Sequence, residues 1–378
     1  MKKIAIIGAN EFQNRLILKA KELGIETHVF AWEDGAVGKE NSDYFYPISI
    51  VEKDIILEKC KEIGIDGICS IASDLAMLTV NYVADKLGLV GNSLKCTKIT
   101  TNKYEMRKQL SNYGLPCPYF KLIRDISDVE YDKLKYPLII KPTDRSGSRG
   151  IYKIEKMGEL EEAIKNAQKE SFSKEVILEE FIDGQEYSVE GISQNGEHHI
   201  LQITKKYTTG APHFIEIAHE QPALLNKETE EQIKTVVIKS LNALKVCNGA
   251  SHTELKIDNG KIKIIEIGAR MGGDFIGSDL VEISTGIDFL ELVLKVALGI
   301  KISVPKVENK NIAFVKFLFD SADINKIKSL TESEKECITD LYIKDKLDIV
   351  TDSSNRNGYC IFKIENLDIL NEIKEVIM

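Results

Sequence analysis

The residues best suited to chemistry lie between about 100 and 275, and the most specific are two glutamates. Glu254 and Glu266 fall on neighbouring apolar strands, the second within Ile264-Ile265-Glu266-Ile267-Gly268-Ala269-Arg270. Carboxylates projecting from adjacent strands onto one face repel unless a cation lies between them. Magnesium is held in this way, through one or two carboxylates together with phosphate oxygens. The connecting turn decides whether the two share a face. A two-residue Asn259-Gly260 turn pairs 258 with 261 and sends them to opposite faces. A three-residue Asp258-Asn259-Gly260 loop pairs 257 with 261, sets Glu254 opposite 264 and Glu266 opposite 252, and keeps both on one face. The metal reading therefore calls for the three-residue loop. His252, two residues before Glu254, shares its face and either touches substrate or orients that glutamate.

Three further segments carry donors and acceptors. Lys141 ends the apolar strand Pro137–Lys141, where an ammonium must meet solvent, a carboxylate or a bound anion. The loop Thr143-Asp144-Arg145-Ser146-Gly147-Ser148-Arg149-Gly150 gathers backbone N–H groups, hydroxyls and guanidiniums suited to phosphate oxygens, and it lacks the G-K-[ST] of a P-loop. In Val176–Glu186 a strand runs into an irregular segment whose main chain can meet an adenine edge, with Glu186 placed for ribose hydroxyls; alone, the segment reads as a hairpin through Asp183-Gly184. Lys205–Pro222, with Lys205, Lys206, His213, His219 and Glu220, reads mostly as a solvated ribbon along a cleft. Gly272-Gly273-Asp274 shapes a substrate pocket. Trp32, the single tryptophan, reads as packing.

These residues need a frame. Residues 1–100 alternate strand and helix patterns (strands Lys3–Ile7, Glu26–Phe30 and Gly67–Ser70), which predicts a parallel sheet covered on both faces. Ligands of such sheets bind beyond the strands' carboxyl ends, here near Gly8–Gln13 and Ser73–Asp74. The glycine after the first strand lacks the rest of a dinucleotide fingerprint. From about Thr101 the pattern becomes α+β, and 301–378 reads as a small α/β appendage. At 378 residues, two or three domains are expected. A net charge of −9 argues against a general nucleic-acid binder. Seven scattered cysteines fit reduced thiols, and no stretch reaches the roughly 20 apolar residues of a membrane span. A cytoplasmic protein without nucleic-acid or membrane partners is expected.

Taken in order, Asn102-Lys103, the Lys141-Pro142 strand end, the Ser/Gly loop, Glu179–Glu186 and Glu254…Glu266…Arg270 resemble the ATP-grasp superfamily over about 300 residues. The resemblance implies an α/β and α+β architecture. A Rossmann-like pre-ATP-grasp domain (1–100) would precede a two-subdomain ATP-grasp fold (101–300, divided near 185) and the C-terminal segment (301–378). It implies that Lys103 and Lys141 contact the nucleotide phosphates, with Ser146, Gly147, Ser148 and Gly150 in the loop closing over them. Glu179 would sit beside the adenine amino group, Glu180, Phe181 and Ile182 would supply backbone contacts, and Glu186 would meet the ribose. Glu254 and Glu266 would hold Mg2+, or Mn2+ in its place, and Arg270 would steady phosphate and substrate. Many members carry asparagine where this chain has Gly268, so that ligand must come from elsewhere. The implied activity is ATP-dependent joining of a carboxylate, activated as an acyl phosphate, to an amine. Lys141, Glu266 and Arg270 would be the catalytic residues, and a homodimer is one possible assembly. The alternatives are a purine-pathway or carbamoyl/carboxy-phosphate-forming enzyme, and a non-catalytic nucleotide-binding protein.

Overall fold

The structure, a computed structural model, describes every residue except 146, 148, 212 and 213, and the side chain of Lys133. Strands β1 (Lys3–Ile7), β2 (Glu26–Phe30), β3 (Tyr44–Tyr46) and β4 (Gly67–Cys69) form a parallel sheet in the order β3-β2-β1-β4. Alternation along β1 buries it on both faces. Ile4 and Ile6 pack with Leu16 and Ile17 of helix α1 (Glu11–Glu22), whereas Ala5 and Ile7 pack with Ile56 of α2 (Lys53–Ile63) and Val80 of α3 (Asp74–Leu87). Asn10 caps α1 and Ser73 caps α3, so both helices start at the carboxyl edge of the sheet and set Glu11 and Asp74 there. Trp32 is 68% exposed and does not pack as expected. It lies in the turn after β2, beyond the sheet's edge.

Helices α4 (Leu94–Thr101) and α5 (Lys103–Asn112) lead into a second, antiparallel sheet. Its strands β5 (Phe120–Ile123), β6 (Leu138–Pro142), β7 (Tyr152–Ile154) and β8 (Val176–Glu180) lie in the order β5-β8-β6-β7. Helix α6 (Leu160–Glu170) buries Leu160, Ala163, Ile164 and Ala167 against Ile140 and Leu178.

The third sheet has eight strands. These are β9 (Gln185–Gln194), β10 (Glu197–Thr208), β11 (Glu216–Gln221), β12 (Gly249–Asp258), β13 (Lys261–Gly268), β14 (Ile312–Leu318), β15 (Ile338–Ile343) and β16 (Gly358–Ile364). Their order is β13-β12-β9-β10-β11-β14-β16-β15, so the C-terminal strands extend the sheet that carries Glu254 and Glu266. Two expectations are corrected here. β8 and β9 are not a hairpin: they belong to different sheets, and Asp183-Gly184 is the crossing between them. Gly184 is required there, because a Cβ would lie 2.2 Å from the Ile257 carbonyl oxygen. Nor is Lys205–Pro222 a solvated ribbon, since most of it forms β10 and β11 and buries Lys206, His219 and Glu220. Lys205 is part-exposed, and His213 lies outside the described residues.

Candidate active site

The cleft between the second and third sheets collects most of the expected residues. Lys103, Lys141, Gly147, Glu179, Glu180, Phe181, Ile182, Glu186, Glu254, Glu266 and Arg270 all line it. Ser146 and Ser148 lie outside the described residues. Gly150 is not on the wall; at φ +72° it turns the loop with its α-carbon against Pro142 and Glu170.

The glutamate pair is reached by a route other than the expected one. Asp258 pairs with Lys261, so the turn is the two-residue Asn259-Gly260, both at positive φ (+48° and +75°). By itself that register separates the glutamates. A bulge then shifts it: Leu255 pairs with Ile264 while Glu254 pairs with Glu266, leaving Ile265 as the extra residue. The carboxylates thus stand directly opposite one another on one face. The expected three-residue loop is wrong and the shared face is right.

Each carboxylate is held by a lysine. Lys103, at the start of α5, donates to Glu266 Oε1 at 2.8 Å and to the Arg145 carbonyl at 2.6 Å. Lys206 on β10 donates to Glu254 Oε1 at 2.5 Å and lies 3.1 Å from Glu186 and 3.7 Å from Glu216. Burial opposes the charge on Lys206, yet these three carboxylates outweigh it and hold its pKa well above the usual lysine range. Burial likewise works against the Glu254 carboxylate, but Lys206 and His252 keep its pKa well below the usual value. His252 orients Glu254 through Nε2 at 3.4 Å, and its Nδ1 is anchored on Glu190, which also accepts from the Gly272 N–H. Among the described residues no cluster of three metal-type side chains occurs. Two opposed carboxylates nevertheless suit a magnesium ion that takes its other ligands from phosphates and water.

Glu179 lies deep in the cleft wall. It is buried between Lys141 Nζ at 2.7 Å and Arg107 Nε at 2.6 Å, and Arg107 also donates to the Ile265 carbonyl at the bulge. Burial favours the neutral acid, but Arg107 and Lys141 hold its pKa below the ordinary value. Desolvation lowers the Lys141 pKa despite Glu179. Beyond it, the N–H groups of Glu180 and Phe181 bond the Tyr119 and Pro137 carbonyls. Ile182 is therefore left as the main-chain donor of that segment. Phe181 and Phe214 approach with ring centroids 6.5 Å apart, and Lys153 and Lys256 lie over the Phe181 ring.

Arg270 is gripped by Asp74 from the first sheet's edge, through Nε–Oδ1 and Nη2–Oδ2 bonds both of 2.9 Å. This pair explains Gly268. A Cβ there would stand 3.1 Å from the Arg270 guanidinium and from Asp74 Oδ1, in space the ion pair fills. Sequence reasoning missed Arg107 and Asp74 as partners and misread Lys206. The only signal for Asp74 was its place beyond a parallel strand.

The comparisons with known proteins agree with this geometry. Residues 134–279 match the ATP-grasp domain. The chain is 25% identical over 265 residues to the carbamoyl phosphate synthase large chain of Caldanaerobacter subterraneus subsp. tengcongensis, covering 68% of this chain and 24% of that protein. It is 26% identical over 306 residues to the alanine–anticapsin ligase of Bacillus subtilis, covering 71% and 64%. The matched region thus spans under two thirds of either relative. Among solved structures, an L-amino acid ligase from Bacillus licheniformis superposes with a TM-score of 0.83 at 25% identity, over 100% of this chain and 98% of that one. An ADP complex of N5-carboxyaminoimidazole synthetase from Staphylococcus aureus, at 15% identity and a TM-score of 0.81 over 99% and 96%, shares the fold. Residues 134–279 thus form an ATP-grasp domain, and the chain as a whole shares its mixed α/β fold with the L-amino acid ligase.

Proposed function

We propose that the chain is an ATP-dependent ligase that phosphorylates a carboxylate and joins the resulting acyl phosphate to an amine, releasing ADP and phosphate. The observation carrying this reading is the convergence of Lys103, Lys141, Glu254, Glu266 and Arg270 on one cleft, with the two glutamates opposed across a bulge.

Phosphoryl transfer needs positioning and charge neutralisation above all. Lys103 and Lys141 would supply positive charge for phosphate oxygens, while Ile182 N–H and Glu186 would serve adenine and ribose. A divalent cation, Mg2+ or Mn2+, held by Glu254 and Glu266 would neutralise phosphate charge. Arg270, locked by Asp74, presents its guanidinium to the carboxylate and the transferring group. Gly147 lines the cleft, and closure of its loop would exclude water and so protect the acyl phosphate from hydrolysis. The neutral amine then attacks the acyl carbon, the C–O bond to phosphate breaks, phosphate leaves with the electron pair, and the proton shed by the nitrogen goes to the departing phosphate. No enzyme nucleophile is required.

Phosphate release from ATP with magnesium, measured against panels of amino acids, bicarbonate and ribonucleotides, tests the reading. Stimulation by pairs of amino acids supports it. Stimulation by bicarbonate or a ribonucleotide alone would move the chain to a carboxy-phosphate or purine-type reaction. Tight ATP binding with no stimulation by any compound would reject catalysis.

A further inference from the structure

Next to the nucleotide cleft lies a second cavity of about 610 Å3, within the range of small-molecule sites. Three parts of the chain wall it: the Asn10–Phe12 segment after β1, the Gly273–Phe275 turn after Arg270, and the loop 352–356 before β16. Its inner end holds Arg270, Glu254 and Glu216, which also line the nucleotide cleft; Arg356 lines only this second cavity.

The outer wall is built rather than incidental. Arg356 lies 3.6 Å over the Phe317 ring, with only 8% of its side chain exposed, and donates to Asp274 and to the Glu216 carbonyl. Ser353 donates to the Glu216 carboxylate. Asp274 and Phe275 are consecutive non-glycine residues at φ +53° and +64°, a conformation that persists only where surroundings impose it. Behind Asp274, the fully buried His219 finds no hydrogen-bond partner for either ring nitrogen among the described residues, and its Nε2 is 3.7 Å from Asp274.

We propose that Arg356 is a specificity-determining residue that reads the free carboxylate of an amino-acid acceptor, whose ammonium end is met by Glu216. The inference rests on the ligase reading above and adds the class of the amine substrate. The geometry favours this orientation. Glu216 stands where the two cavities meet, so an amine beside it is next to the nucleotide's reacting end. Arg356 is adjacent, donating to the Glu216 carbonyl, so one small zwitterion can meet both residues. Among the described residues, acidic and basic side chains balance along this cavity, five of each, which suits a ligand carrying one charge of each sign.

The test compares each amino acid with the amine that lacks its carboxylate, for instance alanine with ethylamine, as acceptors in the magnesium-dependent phosphate-release assay. The wild type is expected to favour the amino acid by about 100-fold in kcat/KM, because a site built to bind a polar group rejects the analogue lacking it. Arg356→Gln should reduce kcat/KM for the amino acid about 30-fold, through KM, and leave ethylamine and the ATP KM unchanged. Arg356→Lys should recover part of the loss. An amino acid-to-amine ratio near one in the wild type would overturn the proposal without recourse to any variant. So would an Arg356→Gln enzyme that loses both acceptors equally, or a ribonucleotide phosphate that outcompetes the amino acid. If no acceptor supports turnover in the wild type, the ligase reading itself fails, an outcome distinct from turnover with an unaltered ratio.

Discussion

Substituting Asp74 by asparagine tests how far the edge of the first sheet takes part in the chemistry proposed for the cleft. The change is nearly isosteric and removes only the charge that holds Arg270. The two groups are 12% and 15% exposed and bonded twice at 2.9 Å. At that separation and an effective dielectric of about 20, their gross attraction is roughly 6 kcal/mol. Desolvation offsets much of it, and removing one partner of a buried pair costs about 3–5 kcal/mol; asparagine can still accept one bond, so about 3 kcal/mol is expected. With an unfolding entropy of about 2.1 cal/mol/K per residue, that corresponds to a Tm lower by ~4 °C for a chain of this length. If the same displacement of Arg270 is felt in the transition state, kcat falls roughly 100-fold. Scanning calorimetry, phosphate release and titration of ATP binding separate the effects, since ATP affinity should hold. The pH dependence supplies a sign. Burial pushes the Asp74 pKa up, but Arg270 outweighs it and the folded value lies below the ordinary one. Its contribution is therefore present above the unfolded carboxylate pKa of about 3.9 and is lost as pH falls through the folded value, so wild type and variant should converge in acid. A Tm within about 1 °C of wild type together with kcat within about 3-fold would refute the argument.

Other outcomes are expected. Glu266→Gln should keep ATP affinity within about 5-fold and lose at least about 100-fold in kcat; unchanged turnover in phosphate release would remove its metal role. Lys206→Met leaves Glu186, Glu216 and Glu254 facing one another, so calorimetry should show about 3 kcal/mol lost and nucleotide titration about tenfold weaker binding. Gly268→Asn should lower activity rather than raise it, because its Cβ enters the Arg270–Asp74 contact; an increase in kcat would contradict the packing given for that glycine.

Local rules carried the first sheet. Three of its strands, β1, β2 and β4, are apolar runs alternating with amphipathic helices, so periodicity predicts their parallel pairing; β3, only three residues long with Tyr44 exposed, gives no such signal. Lys141 and the two glutamates were also legible, because charges on apolar strands need a partner. The register was not. The turn residues Asn259-Gly260 specify a two-residue turn, but the extra residue at Ile265 is held by long-range contacts, among them the Arg107 bond to its carbonyl. Arg107 and Lys206 look like ordinary helix and strand cations until three elements meet around them. Asp183-Gly184 has the composition of a hairpin turn, and only the pairing of β8 with β5 and β6 shows otherwise. The role of residues 301–378 could not be read either, since sheet membership depends on which strand β14 finds.

That membership has a consequence for handling the protein. The pairing of β14 with β11 means that the last seventy-odd residues cannot be trimmed as an accessory module. Removing them would uncover the main-chain donors and acceptors of Ala218–Gln221 and the apolar face of Ala218, Phe275, Ile276 and Leu280 in one stroke. An open strand edge beside apolar surface is a template for intermolecular pairing. A shortened chain would therefore be prone to self-association before any loss of catalysis could be measured, and a C-terminal fusion should be joined beyond the terminal helix rather than at the end of the ATP-grasp domain.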